Sequence, residues 1–116
     1  MIKRKTKRLA KYDAAFEKMK PLVRERSFGL CESFPFASRW SEEAIDIYNS
    51  SPVAVTCEFR NPVHIHHRKY RSRGGTNALS NLIHLCEPCH TWTHSHSELS
   101  NKLGLSLKSW EKEELC

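Results

Sequence analysis

The sequence contains no apolar run that approaches the length needed to cross a membrane, so no membrane partner is expected. No apolar core follows the basic start Met1–Lys5, which predicts the absence of a secretory signal and a cytoplasmic protein. There is also no internal repeat and no Gly/Ser-rich linker. A chain of 116 residues with these features is expected to form one domain with ragged ends.

Charge and cysteine content narrow the class of protein further. The formal net charge is +6 and the isoelectric point is near 9.2, which predicts a polyanionic partner. The chain has five cysteines. Cysteines without a secretory signal favour metal binding over disulfides.

Histidine is concentrated in one stretch. All seven histidines lie between His64 and His96, and Cys86 and Cys89 lie in the same stretch. Histidine is the commonest metal ligand and the usual general base near neutral pH. This density predicts a site for a divalent ion.

The same stretch has the pattern of a hairpin followed by a helix. Residues alternate in character over Val63–His67, which is typical of a strand, and Arg73–Asn77 has the composition of a turn. The apolar run Leu82–Leu85 suits a second strand, and Pro88 suits the first turn of a helix. We therefore expect an α+β domain in which the hairpin and the helix hold the ion between them.

The spacing of four histidines suggests a division of roles. His90 and His94 are four residues apart, so a helix would present both imidazoles on one face as a two-point clamp for a metal. His66 and His67 are neighbours on a strand and should point to opposite faces. We therefore expect one of them to bind the ion and the other to act as a base. A nuclease needs that pair, because the ion stabilises charge on the phosphate while a neutral imidazole activates water.

A family resemblance rests on seven of these residues, which recur together and in order: His66, His67, Asn81, Cys86, Cys89, His90 and His94. The residues Arg71-Ser72-x-Gly74-Gly75 and Asn81-Leu82 between them match the same family's usual sequence pattern. Over about residues 57 to 94 the chain resembles the HNH endonuclease family. The resemblance implies a ββα-metal finger that acts on DNA.

The resemblance also implies roles. His66, His90 and His94 would bind the catalytic ion, and His67 would be the general base. Asn81 would brace the loop that aims His67. The ion stays open among Mg, Mn, Ni and Zn.

A second, structural metal site is expected from cysteines. Many HNH proteins carry two Cys-x-x-Cys knuckles that bind a structural zinc. Here only the Cys86 and Cys89 knuckle is intact, because Ala54 stands three positions before Cys57. Cys31 is the candidate for the missing thiolate, since loop closure costs grow slowly with length. The alternative is that Cys31 and Cys57 are small buried hydrophobes.

The first 26 residues are basic, with ten Lys or Arg against three acids. Apolar residues recur there at steps of three and four between Leu9 and Val23, which predicts an amphipathic helix. Pro21 is expected either to kink this helix or to begin a second one. The predicted organisation is a basic arm and helix over 1–20, an HNH domain over 21–110 with its ββα core at about 57–96, and a polar tail over 111–116.

Basic residues at two places are expected to contact DNA phosphates. They flank the hairpin and form the N-terminal arm: Arg68, Lys69, Arg71 and Arg73, then Lys3, Arg4, Lys5, Lys7 and Arg8. Between these regions, Ser41 is expected to cap a short helix that ends near Tyr48, in what looks like an insertion rather than a site. Trp110 is expected to anchor the C-terminal end.

The function predicted from these features is a metal-dependent HNH endonuclease that nicks or cleaves DNA. The resemblance also allows a phage origin, with the host cytoplasm as location and packaging proteins as partners. Two alternatives stay open. One is a zinc-stapled DNA-binding or packaging accessory without catalysis, and the other is a structural metalloprotein that binds a protein partner.

Overall fold

The computed structural model describes residues 7–33 and 41–113. The predicted DNA contacts of Lys3, Arg4 and Lys5 lie outside these residues. None of the described helices combines the length and apolarity of a membrane-spanning segment.

A long helix, α1 (Lys7–Ser27), opens the described chain. It continues through Pro21, so the alternative that Pro21 begins a second helix is wrong, and the predicted boundary at residue 20 falls inside one element. Its apolar face packs inward at Val23, which is fully buried. The helix ends where Phe28 and Gly29 adopt positive φ.

The hairpin lies where the sequence predicted it. Strands β1 (Pro62–His67) and β2 (Leu82–Cys86) pair antiparallel, with an irregularity near Pro62. All five residues of β2 are buried, whereas β1 is mostly half-buried. The first strand therefore carries the accessible side of the sheet. Helix α4 (Glu87–Ser95) follows β2 directly, with Pro88 in its first turn.

In the loop that connects the strands, the backbone of Gly75 lies very close to the backbone of Lys69. A short 3-10 turn at Arg71–Arg73 ends at Gly74, which has φ of 85°. A Cβ on Gly75 would lie 1.8 Å from the carbonyl oxygen of Lys69, so only glycine fits there. A second 3-10 turn, Leu79–Asn81, leads into β2.

The segment before the hairpin belongs to the core, which corrects its interpretation as an insertion. Helix α2 (Glu42–Ser50) begins at Ser41, whose side chain accepts a hydrogen bond from the amide of Ala44, as predicted. Ala44 is 1% exposed, and Ile47 and Tyr48 pack against the core beside the cysteines. The short helix α3 (Val53–Thr56) then leads to β1.

The C-terminal segment is anchored by leucines rather than by Trp110. After α5 (Ser97–Lys102), the side chains of Leu103, Leu105 and Leu107 are buried, whereas Trp110 is 77% exposed. The prediction for Trp110 is therefore wrong. Glu113 of the predicted polar tail bonds the loop between the strands at the amide and the hydroxyl of Thr76.

The prediction that Arg68 contacts DNA is also wrong. Its side chain is fully buried. The guanidinium donates to the carbonyl oxygens of Gly104 at 2.7 Å, Ser80 at 2.8 Å and Glu113 at 3.0 Å. Because these carbonyls occupy its donors, Arg68 ties the C-terminal segment to the hairpin instead of meeting phosphate.

Candidate metal centre and active site

Three histidines from two elements converge. His66 comes from β1, while His90 and His94 come from one face of α4. One ring nitrogen from each lies within 4.8 Å of the others, and the Nε2 atoms of His90 and His94 are 3.1 Å apart. We call this set the histidine cluster. Its nitrogens are close enough to bind one metal ion.

The protonation of the histidine cluster suits metal binding. The Nε2 of His66 donates to the carbonyl oxygen of Leu105 at 2.9 Å, since a carbonyl only accepts, and this leaves the lone pair on Nδ1. Burial lowers the pKa of His66 to about 3 and that of His90 to about 4. Both imidazoles are therefore neutral near pH 7, as a metal ligand must be.

A ring of aromatic and charged side chains surrounds the histidine cluster. His64 stacks on His90 with ring centroids 4.1 Å apart, and its Nε2 pairs with the carboxylate of Glu87. Tyr70 stacks on His94 at 5.5 Å. Contacts of this kind fix ring orientation around a metal. No sequence pattern indicated that His64 would lie so close to the cluster.

His67 lies on the opposite face of β1, as strand geometry predicted. It packs against the rings of Tyr12 and Phe16 from α1, with centroid distances of 5.9 and 4.6 Å. Its Nε2 is 2.8 Å from the Oδ1 of Asn77. Side chains from both faces of β1 nevertheless line one open pocket of about 250 Å³. Its lining residues are Ile65, His66, His67, Tyr70, Arg71, His90 and His94.

Asn81 is buried at the base of the loop between the strands. Its Oδ1 accepts from the amide of Lys69 at 2.7 Å, and its Nδ2 donates to the carbonyl oxygens of Thr76 at 2.8 Å and Lys69 at 3.1 Å. Asn81 thus joins both ends of the loop. It is Asn77 that touches His67 directly. Sequence reasoning placed Asn77 only in a turn, because nothing local indicates where its side chain points.

Three of the expected DNA-contacting residues near the hairpin remain on the accessible side. Arg71 is exposed and lies 4.7 Å from the ring of Tyr12, and Arg73 is exposed and lies 4.8 Å from the ring of Tyr70. Lys69 is half-buried. Lys7 is exposed at the start of α1, and the side chain of Arg8 is not among those described.

Four cysteines form a second cluster. One Sγ from each of Cys31, Cys57, Cys86 and Cys89 lies within 4.8 Å of the others. We call this set the cysteine cluster. Cys31 follows α1 and Cys57 precedes β1, so residues distant in sequence meet there, as the sequence predicted. Cys57 is half-buried and the other three are buried.

Backbone and thiol hydrogen bonds in the cysteine cluster stabilise negative charge on sulfur. The amide of Cys86 donates to the sulfur of Cys31 at 3.4 Å, and the amide of Glu58 donates to the sulfur of Cys86 at 3.3 Å. A hydrogen bond from Cys89 lowers the pKa of the Cys31 thiol to about 4, and the same bond raises the pKa of Cys89.

If the other cysteines of the cluster also lost their protons, the thiolates would repel one another. A bound divalent cation would offset that repulsion. Four sulfur donors in a buried, closed arrangement are the donor set that zinc prefers. The residues present therefore fit a structural zinc.

The antiparallel hairpin, the helix behind it and the three convergent imidazoles form a ββα module that could hold a metal ion. Residues 54–96 match the family model of the HNH endonucleases, so this part of the chain is similar to that family. Members of this family are nucleases that act on DNA and use a divalent metal ion. No curated protein and no solved structure matches the chain. The matched segment includes the histidine cluster and three of the clustered cysteines, but it excludes Cys31 and α1.

Proposed function

We propose that this protein is a metal-dependent endonuclease that hydrolyses phosphodiester bonds of DNA. The observation that carries the proposal is the shared opening of His67 and the histidine cluster. A base and a metal site that face one pocket from opposite sides of a strand can act on the same phosphate. A module that only binds DNA has no use for that pairing.

Within this proposal, His66, His90 and His94 would hold the ion. When bound, the ion supplies stabilisation of the negative charge on the phosphate and on the leaving oxygen. Three imidazole donors favour ions such as Zn²⁺ or Ni²⁺ over Mg²⁺, which prefers carboxylate and water oxygens. The carboxylate of Glu87, in the first turn of α4, is engaged by His64.

His67 would act as the general base. Its imidazole takes a proton from water, and the resulting hydroxide attacks phosphorus in line with the 3′ oxygen. A new P–O bond forms while the P–O3′ bond breaks, and solvent returns a proton to the leaving oxygen. The products are a 5′ phosphate and a 3′ hydroxyl.

We assign the binding of DNA phosphates to cationic residues around the pocket and at the N-terminus. Arg71 lines the pocket and lies beside Tyr12, Arg73 lies beside the pocket residue Tyr70, and Lys69 is close in sequence. The N-terminal residues Lys3, Arg4, Lys5, Lys7 and Arg8 add charge that would follow the backbone without reading bases. Asn81 would keep the loop of Arg71 and Arg73 in shape.

A structural zinc in the cysteine cluster completes the proposal. The second candidate is a zinc-stapled DNA-binding or packaging accessory, which is favoured by the buried thiolate site and the net charge of +6, since neither requires chemistry. A phage origin and a place beside genome packaging belong to the proposal through family resemblance alone.

The test is cleavage of supercoiled plasmid in a panel of Mg²⁺, Mn²⁺, Ni²⁺ and Zn²⁺. We expect nicked or linear product with at least one transition-metal ion. Plasmid that is bound but never cut with any ion would favour the accessory protein.

A further inference from the structure

We propose that Asn77 and helix α1 position the candidate base, so that His67 acts through its Nδ1 atom. The mechanistic meaning of this inference rests on the proposed function, but the arrangement itself can be tested without cleavage. It adds a residue and a helix to the site, neither of which comes from the metal-binding residues.

The carboxamide of Asn77 lies between α1 and His67. Its Nδ2 lies 2.8 Å from the main-chain carbonyl oxygen of Tyr12, in the second turn of α1. A carbonyl oxygen accepts hydrogen bonds and never donates, so the NH₂ group must face Tyr12. The amide orientation, which nitrogen and oxygen positions alone leave ambiguous, is thereby fixed.

With the NH₂ group committed, the Oδ1 of Asn77 faces His67. It lies 2.8 Å from the Nε2 of His67. An amide oxygen only accepts, so Nε2 must carry the proton. In the neutral ring the lone pair then lies on Nδ1, which is the atom left to remove a proton from water. The helix carbonyl thus selects the tautomer through one asparagine.

The ring of His67 is also held in place by α1. Phe16 and Tyr12 pack against it at 4.6 and 5.9 Å. The hydroxyl of Tyr12 donates to the carbonyl oxygen of Gly75 at 3.1 Å, which ties the helix to the loop that carries Asn77. The same loop is anchored from below, where Asn81 donates to the carbonyl of Thr76. Helix and loop therefore close on His67 from two sides.

Helix α1 lies outside the segment that matches the family model. The family match begins at residue 54, whereas the atoms that orient His67 come from a helix that ends at Ser27. The HNH segment alone would keep the metal ligands but lose the contact that sets the tautomer of its base. Asn77 is a positioning residue, because it touches the base and not the substrate.

The first test reads the tautomer directly. The ring nitrogens of His67 are observed by ¹⁵N NMR on the full-length zinc-loaded protein, above the pH at which free histidine titrates. We expect Nε2 to be protonated and Nδ1 unprotonated. Asn77→Leu, which removes both hydrogen bonds at similar size, should shift His67 toward a mixture of tautomers. A protonated Nδ1 in the wild-type protein, or an unchanged tautomer in Asn77→Leu, would overturn the inference.

The second test separates positioning from substrate binding. Asn77→Leu should lower kcat about tenfold to a hundredfold, part of the roughly 10²- to 10⁴-fold that a general base contributes, while KM for DNA stays within about twofold. Asn77→Asp keeps an acceptor for Nε2 but loses the donor to Tyr12, so it should recover part of the loss.

Asn49→Leu, on an exposed position of α2, is the matched control and should cleave like the wild type. A loss in KM alone, or an equal loss in Asn77→Leu and Asn77→Asp, would contradict a positioning role. If no variant and no wild type cleaves, the proposed function fails while the NMR result still decides the tautomer.

Discussion

The cysteine cluster and the histidine cluster are equally compact, yet they differ in where they lie. In both, the ligand atoms fall within 4.8 Å of one another. Three of four cysteines are buried, whereas the histidines grade from buried His66 through His90 to exposed His94. A closed thiolate site excludes substrate, while an open imidazole site leaves coordination positions for it. Accessibility, more than ligand density, separates a structural metal site from a reactive one.

The two clusters also differ in what they join. The cysteines come from three separate parts of the chain, and they bring the segment after α1, the approach to β1 and the junction of β2 with α4 together. The histidines join only β1 and α4, which already pack next to each other. Loss of a cysteine should therefore disturb the fold, and loss of a histidine should mainly disturb chemistry.

The largest effect is expected at the cysteine cluster. Cys31→Ser should remove zinc and lower the melting temperature by more than about 10 °C, because binding of a structural zinc is coupled to folding and one kcal/mol is worth several degrees in a domain of this size. The measurements are zinc per chain by elemental analysis and thermal melting.

Cys116→Ser changes the remaining cysteine of the sequence and is the matched control, with zinc and melting expected to be unchanged. Equal zinc and equal melting in Cys31→Ser would remove Cys31 from the site. Equal melting with no zinc in either protein would show that the clustered cysteines are packing residues.

The next effect is catalytic and should leave the fold alone. His67→Ala should lower plasmid cleavage by about 100-fold or more while zinc content and DNA affinity persist, because only the activated water is lost. His96→Ala alters an exposed histidine that stacks on Trp92 and should cleave normally. Cleavage by His67→Ala at the wild-type rate would assign the base to another group.

Within the histidine cluster, replacement of buried His66 and of exposed His94 should have different effects on stability. His66→Ala and His94→Ala should both weaken binding of the catalytic ion, measured by titration with Ni²⁺ or Zn²⁺. His66→Ala should also lower stability by about 1–3 kcal/mol, because it leaves the carbonyl of Leu105 without its partner in a buried place. His94 is exposed, so its replacement should leave the melting temperature within about 1 °C. Equal destabilisation by both variants would contradict the buried-to-exposed gradient.

The smallest effect concerns the N-terminal arm. Residues 3 to 8 carry five positive charges, and each phosphate they neutralise releases counterions. Removal of residues 1–8 should flatten the dependence of DNA affinity on salt, while both metal contents stay the same. A salt slope identical to that of the full chain would show that the arm makes no phosphate contacts.

Much of the metal-binding module is predictable from sequence because its signals are local. The alternation before His67, the glycines after Arg73 and the apolar run that starts at Leu82 define the hairpin, and the spacing of His90 and His94 defines the helix face. Cys31 is a candidate because a site that includes Cys57, Cys86 and Cys89 requires a fourth thiolate, which a long loop can supply at little extra cost.

The remainder depends on tertiary contacts that no local pattern encodes. Arg68 stands in a run of exposed cations, and only the folded chain reveals the three carbonyls that bury it. The approach of Tyr12 to Asn77 joins residues 65 positions apart. Trp110 shows the opposite error. It is a large aromatic residue near the end of the chain, yet its side chain is exposed and does not anchor that end.

The comparison of the two clusters is tested most directly by mild chelation of the wild-type protein with EDTA, followed by measurement of cleavage, melting and zinc content on the same sample. We expect cleavage to stop while the melting temperature holds and about one zinc per chain remains, since a closed thiolate site exchanges its ion less readily than an open one. Added Ni²⁺ or Zn²⁺ should then restore cleavage. Cleavage that persists in excess chelator, or activity, fold and all zinc lost together in one step, would contradict the division of labour between the histidine and cysteine clusters.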